Sequence, residues 1–434
     1  MIKGLKKGSY KISARAALGC LVAAAVVFTN GVSVSAINTD NLLNASSEVQ
    51  QTATDNNKFL IDEETKCFND INKVKKYAGF DFKLPDYLGQ STWQGGYQLL
   101  KLTDTDNAVV MYYDGQDDRD FGFSLTMFKD EPVKSLEKVL EIKCLFAQRE
   151  NAKCDVSEQD ANYGGVKGKD ITLTITTPEH IMDEYTIPNS ISTVKYFIWE
   201  DNNVYYAINY NNSIEENGDK DSWIDISQDE AGKIAGSFKE LDDIKNVDYK
   251  ADFINNGELS TETGLMCIYD RDDLKKAEGI LGFNPKMPLK INDNVVIDGS
   301  GVGITGDSDV ENKKINYELN LFYNYGEGII TFNQSNHDSF NNYKEIKENG
   351  YVDRSEDDWS VDKKINVDKM DVDGKTVYKY IDSYKNPDEA DAEVSNDVEY
   401  KWEENGVYCT VVFFDTDQYP DEVAKEFINS KAID

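Results

Sequence analysis

Val407, Cys409, Val411 and Phe413 alternate with Tyr408, Thr410, Val412 and Phe414, the two-residue period of a strand with one face in a core. Comparable runs predict strands at 108–113, 121–128, 166–176, 194–199 and 204–210 in the first half of the chain. In the second half they predict strands at 316–323, 328–332, 375–383, 398–402 and 407–414. Helical spacing appears instead at Phe68, Ile71, Val74 and Ala78. Acids at 62–64, lysines at 73, 75 and 76 and the stop at Gly79 then predict a helix over 62–78. A second helix, over 133–147, follows Pro132 and carries Leu136, Val139, Leu140 and Cys144. Asp270–Glu278 reads as a shorter counterpart of the first helix, and closing helices open at Asp229-Glu230 and Asp421-Glu422. Helices bracketing runs of antiparallel strands predict an α+β fold, with the helices on one face of each sheet.

The halves echo one another. Trp199-Glu200-Asp201-Asn202-Asn203-Val204-Tyr205 returns as Trp402-Glu403-Glu404-Asn405-Gly406-Val407-Tyr408, five of seven positions identical at an offset of 203. Gly79-Phe80-Asp81-Phe82-Lys83-Leu84-Pro85 returns as Gly282-Phe283-Asn284-Pro285-Lys286-Met287-Pro288 at the same offset. Two matches in one register predict a tandem duplication. The closing helices are offset by 192, so the second repeat is 11 residues shorter, and an insertion at Asn211–Ser222 accounts for the difference. The Trp strings read as hairpin turns with the tryptophans packed under a sheet. The Gly-Phe strings read as a helix stop, an anchor and a proline-shaped exit.

The first 36 residues are of another kind. Lys3, Lys6, Lys7, Lys11 and Arg15 precede an apolar run from Ala16 to Phe28, and Val32–Ala36 offers small residues for cleavage. This pattern predicts a secretory signal peptide over 1–36, with an uncleaved N-terminal membrane anchor as the alternative. Residues 37–57 read as a polar linker, 58–245 as the first repeat domain, 246–263 as a second linker and 264–434 as the second repeat domain. No later stretch reaches membrane length, so no membrane insertion is expected after leader cleavage.

Charge narrows the partners. The net charge of −34 becomes −39 without the leader, which repels phosphate backbones and anionic lipid heads and excludes nucleic acid. The remaining cysteines, Cys67, Cys144, Cys154, Cys267 and Cys409, argue against a duplicated disulfide framework, because none falls at equivalent positions in the two repeats.

Candidate chemistry is sparse. His180 and His337 have neither metal-ligand spacing nor equivalence between repeats. Gly299-Ser300-Gly301-Val302-Gly303 lies among acids that repel phosphate and reads as a loop. Acid-rich loops at Asp114–Asp120, Glu215–Asp221, Asp298–Glu311 and Asp353–Asp358 make calcium the one ion to consider, without the spacing of a known loop. Asp371-Val372-Asp373-Gly374 reads as a hairpin turn, since Lys369 stands where a first ligand belongs. No catalytic, cofactor-binding or metal-binding residue is assigned.

Leu84-Pro85-Asp86-Tyr87, the Trp hairpins at 199–205 and 402–408, and the closing helices after Ser227 and Pro420 resemble an uncharacterised extracytoplasmic domain family of Gram-positive bacteria. That family often forms the outer part of anti-sigma-type regulators and of lipoproteins. The resemblance implies a sensing or protein-binding module with no catalytic residues to carry over. In the second copy the tyrosine is missing, the sequence there being Pro288-Leu289-Lys290.

The expectation is a secreted, non-catalytic binding or regulatory protein of a cell envelope, acting on a protein or envelope component. Two alternatives are a carrier or sensor of an apolar ligand, suggested by the aromatics at Tyr205, Tyr206 and Tyr210, and a cell-wall polymer hydrolase.

Overall fold

The structure is a computed structural model. It describes residues 58–432 apart from 60, 62–63, 94, 116–121, 144–151, 183–184, 217–218, 251–265, 305–314, 326–327, 339–341, 356, 358, 386–393 and 417–418. The leader and first linker expected over 1–57 lie outside the described residues. Two compact units divide between positions 258 and 259. Lys58, which bridges Asp270, and Phe59, whose N–H donates to Tyr269 O at 2.8 Å, belong with the second unit.

The principal strands of the first unit are β1 (Thr65–Phe68), β2 (Tyr97–Lys101), β3 (Asn107–Asp114), β4 (Phe123–Phe128), β5 (Lys153–Tyr163), β6 (Val166–Thr177), β7 (Ser190–Asp201) and β8 (Val204–Glu216). Its helices are α1 (Ile71–Ala78), α2 (Pro132–Lys143) and α3 (Gln228–Ala235). The strands make one antiparallel sheet in the order β1-β2-β3-β4-β8-β7-β6-β5.

The second unit has β9 (Met266–Cys267), β10 (Val295–Ile304), β11 (Tyr317–Tyr325), β12 (Gly328–Ser335), β13 (Asp368–Val372), β14 (Lys375–Tyr384), β15 (Ser395–Glu404) and β16 (Val407–Phe413). Its helices are α4 (Arg271–Leu281), α5 (Tyr343–Asn349) and α6 (Asp421–Asn429). The order β9-β10-β11-β12-β16-β15-β14-β13 reproduces the first sheet strand for strand. The insertion in the first unit is a hairpin: β8 runs on to Glu216 and a further strand, Asp219–Asp225, returns along it, whereas β16 stops at Phe413.

Turn chemistry sets the central hairpins. Asn202 and Asn203 (φ 53° and 59°) and Asn405 and Gly406 (φ 55° and 80°) take left-handed conformations at both central positions. That geometry matches strand twist and registers Trp199 opposite Tyr206 and Trp402 opposite Cys409. Asp373 and Gly374 make the same kind of turn between β13 and β14 (φ 50° and 86°).

Four expectations are corrected. The first helix begins at Ile71, not 62, because Thr65–Phe68 is spent as an edge strand on β2 and Asp70 caps the helix, its carboxylate accepting from Asn72 N at 2.8 Å. Helices cover both sheet faces. Alternation along β7 sends Tyr196 and Ile198 into a cluster with Leu136, Val139 and Leu140 of α2, while Trp199 on the opposite face meets Phe238, just beyond α3, edge-on at 4.9 Å.

The third correction concerns Gly299–Gly303, which is strand, not loop. Ser300 is fully buried, its hydroxyl donates to Ile268 O at 2.6 Å, and a side chain on Gly301 would come 3.2 Å from Met266 O. The glycines thus admit the short edge strand β9 close alongside. Fourth, Cys67 and Cys267 are equivalent: Cys67 lies opposite Gln98 and Cys267 opposite Gly301, two positions that are themselves 203 apart. The offset falls to 200 at these edge strands, which hid the match, and neither thiol is in a disulfide.

Candidate functional site

The two echoed strings meet. Lys83 of the first Gly-Phe string donates to Asp201 of the first Trp string at 2.6 Å. At the same offset Lys286 pairs with Glu404. The lysine backbone is fixed as well: Lys83 N donates to Tyr206 Oη at 3.0 Å, and Lys286 N donates to Gln334 Oε1 at 2.8 Å. In the second unit Lys375 joins the pair at 3.2 Å from Glu404 and also donates to Ile428 O at 2.7 Å. Burial opposes ionisation of Glu404, but the two lysines outweigh it and hold its carboxyl below the usual range. Position 201/404, which differs between the copies as Asp or Glu, is therefore a clamp between the exit of one helix and the hairpin turn.

Copy two departs from copy one on the sheet face that α2 covers in the first unit. In the first unit Ile171, Leu173 and Ile175 of β6 and Val194, Tyr196 and Ile198 of β7 form an apolar stripe under α2. The ladders put Tyr380, Asp382 and Tyr384 of β14 and Asp397, Glu399 and Lys401 of β15 at the same places. This stripe is charged, and it is paired internally. Arg354 donates to Asp382 at 2.8 Å through Nε and 2.7 Å through a terminal nitrogen, and lies 3.8 Å from Glu399. Lys401, 4% exposed, sits 3.0 Å from Glu399. Burial resists charge on Glu399, yet Lys401 and Arg354 leave its carboxyl lowered overall. Asp397 goes the other way: burial, then the neighbouring Glu399, push its carboxyl up to about 8. Tyr384 donates to it at 3.3 Å.

The cover follows the stripe. An apolar stripe attracts the 12-residue amphipathic α2, whereas the charged stripe is met by the short α5 and the hairpin Tyr351–Asp353/Lys364–Asn366, whose connection carries Arg354 and Ser360. Tyr343 and Ile346 of α5 reach only the tyrosine end, at Tyr378 and Tyr380.

The opposite face carries another exchange. Asp170 in the first unit, 5% exposed, accepts from Tyr163 and Tyr210 at 2.9 Å each and from Gln159 at 3.1 Å. Its ladder equivalent is Lys379, which reaches Asp421 at the start of α6 at 3.1 Å, while Tyr400 donates to the same carboxylate at 2.8 Å. A carboxylate under tyrosines has become a lysine tied to a helix start, where a negative charge also suits the helix dipole.

A groove of about 420 Å³ lies in the second unit between Met287–Ile291 and the end of α6 at Glu426, Ser430 and Lys431. Ser430 corresponds to Phe238: Phe238 stands opposite Pro85, and the Lys286–Ala432 bridge extends to put Ser430 opposite Pro288. Phe238 packs on Trp199 and Tyr206, so the serine removes a ring.

Other candidates from the sequence are dispersed. Tyr206 and Tyr210, which suggested an apolar ligand, are 2% and 5% exposed and their hydroxyls are engaged by Lys83 N and Asp170. Glu215 faces Lys220 across the inserted hairpin, Asp353 caps a turn by accepting from Ser355 N at 2.9 Å, and Asp298 falls at an irregularity of β10. Asp114 is the last residue of β3, and most of the loop after it lies outside the described residues. Among the described residues no group of three or more His, Cys, Asp or Glu is arranged to hold a metal ion. His337 lies just beyond β12, its N–H donating to Ser335 Oγ at 3.1 Å, and His180 begins a two-stranded hairpin with Tyr185–Ile187. No helix among the described residues is long and apolar enough to cross a membrane. No family model, curated protein or solved structure matches the chain.

Proposed function

We propose that this is an exported, non-catalytic binding or regulatory protein of a Gram-positive cell envelope, in which the first unit is scaffold and the second presents the binding surface. One observation supports the reading: on a shared topology Ser430 of the second unit stands where the first has Phe238, and a groove lined by Pro288 and Ser430 lies beside it. The leader pattern and the resemblance of the Leu-Pro-x-Tyr and Trp-hairpin strings to an extracytoplasmic family support export and a binding role. The half-buried carboxylates Asp382 and Glu399 are tied to Arg354 and Lys401, an arrangement that holds structure together without presenting a free acid.

The test is capture from envelope extracts on the immobilised full chain, comparing wild type with the double variant Lys290→Glu, Lys431→Glu and with Lys233→Glu in the first unit. A component held by wild type and Lys233→Glu but released by the double variant supports the reading. Equal capture by all three, or none by wild type, overturns it.

A further inference from the structure

Asp382 of β14 and Asp397 of β15 stand directly opposite each other on one sheet face, and Glu399 is the next residue of that face along β15. Two cations meet these three acids. Arg354 takes Asp382 at 2.7 Å and lies 3.8 Å from Glu399, and Lys401 takes Glu399 at 3.0 Å. Among the described residues no cation pairs with Asp397. A hydroxyl and an amide reach it instead, Tyr384 Oη and Asp415 N each donating to its Oδ1 at 3.3 Å. Like charges facing across a ladder repel, and three acids against two cations balance only when one acid holds a proton. Asp397 is that acid. Burial, then Glu399, push its carboxyl up to about 8; the Asp415 amide and the Tyr384 hydroxyl pull the other way and are outweighed.

Asp415 begins the turn by which the chain leaves β16. Its backbone is left-handed (φ 52°), its side chain is exposed and its N–H is given to Asp397, while Thr416 N donates to Asn396 O at 2.8 Å. Those two bonds tie the turn to β15. The remaining charged and titratable groups around Asp397 are anchored within the unit. Asp382 accepts from Arg354 and Ser360, Tyr384 is bridged to Ser360 through its backbone, and Glu399 is held by Lys401. α5 packs at the far end of the face, where Tyr343 meets Tyr378 and Tyr408. Asp415 is thus the charged neighbour that sits on a surface turn. In the first unit Leu173 and Val194 take the places of Asp382 and Asp397, and β8 runs on into the inserted hairpin where β16 gives way to this turn.

We propose that the turn of Asp415 and Thr416 is a proton-operated latch, closed on Asp397 while that carboxyl carries its proton and released when it ionises. Ionisation sets a further negative charge against Asp382 and Glu399, with Asp415 beside it. Swinging the turn outward removes Asp415 and lets water reach the carboxylate. With the turn open Asp397 regains an ordinary carboxyl pKa of about 4, so the opening equilibrium rises by up to about tenfold per pH unit between about 4 and 8 and levels above that. This response belongs to the second unit alone, because the first has no titratable group at those places, and it stands independently of the binding reading.

Hydrogen exchange on the full chain between about pH 5 and 9, corrected for intrinsic amide rates, tests the latch. Protection at 415 and 416 should fall by up to about tenfold per unit until about pH 8 and then level. Asp397→Asn, neutral and of the same shape, should keep its protection at every pH, and Asp415→Asn should lose less protection than wild type. A turn indifferent to pH in wild type overturns the proposal, as does a dependence that survives Asp397→Asn. So does a turn that exchanges only in step with residues 330–332 of β12, because the opening is then global. Should Asp397→Asn fail to fold, as judged by its thermal transition, the exposed Asp415→Asn decides, and a loss equal to that of wild type overturns the latch.

Discussion

Lys83 and Asp201 meet at 2.6 Å, joining residues 118 positions apart, and Lys286 and Glu404 repeat the pairing across the same separation. The side chains of Lys83 and Asp201 are 25% and 38% exposed, while Lys286 and Glu404 are 14% and 26% exposed and share Lys375.

The two clamps should therefore differ in strength. Lys83→Met is expected to cost about 0.5–1 kcal/mol, the range of a solvent-screened pair. Lys286→Met strips Gln334 of nothing, since that contact is through the backbone, but leaves half-buried Glu404 with one lysine, and should cost about 1–3 kcal/mol. Urea unfolding of both variants checks the order, and a larger loss for Lys83→Met contradicts the burial argument.

Asp170 gathers three donors in a buried site. Asp170→Ala leaves two tyrosine hydroxyls and an amide without their acceptor and is expected to destabilise the first unit by about 2–4 kcal/mol. Asp170→Asn, which keeps one acceptor, should cost less. Hydrogen exchange across β6 and β7 would localise the loss.

The charged stripe works only as a set. Ile198→Lys copies the second unit's Lys401 into the first without Glu399 or Arg354, and should cost about 3 kcal/mol or more through an unpaired buried charge. Adding Tyr196→Glu should restore part of that loss, a coupling measurable as a double-mutant cycle. Additive losses would show that the pair does not form there.

Acid and base should act oppositely at two carboxyls. Asp397, pushed up to about 8, holds a proton in the folded chain that the unfolded chain releases near pH 4. Its contribution is complete below about pH 4 and is lost as pH rises to 8, with a slope of at most about 1.4 kcal/mol per pH unit. Asp86 is held down to about 2 by Lys239, then by the Asn246 and Lys245 amides, so its contribution stands above pH 4 and is lost as pH falls toward 2. Asp397→Asn should flatten the stability profile between pH 5 and 8, as read by denaturant midpoints, and Asp86→Asn should leave that window unchanged.

The alternating strands, the I′-type hairpins and the shared offset of 203 were legible because they depend on local chemistry: side-chain period, left-handed Asn and Gly, and unbroken numbering. Edge strands were not. β5 carries no apolar alternation because nearly all of it faces solvent, and β9 is two residues long, its place marked only by the glycines of the inner strand β10 that admit it. α1 starts later than the acids at 62–64 predict, because pairing with β2 claims Thr65–Phe68 first.

The groove was foreshadowed by one difference, Lys290 where the first copy has Tyr87, but its meaning needed Ser430 placed against Pro288 from the far end of the unit.

Sequence alone determined that a unit was copied and where its turns fall, since period and turn preference act over a few residues. Tertiary structure decided that Lys83 finds Asp201, that one copy's apolar stripe is the other's ion network, and that Ser430 stands against Pro288 where the first unit sets Phe238 against Pro85. Those outcomes depend on which distant strands become neighbours, and adjacency between strands far apart in the chain is set by the packing of the whole sheet.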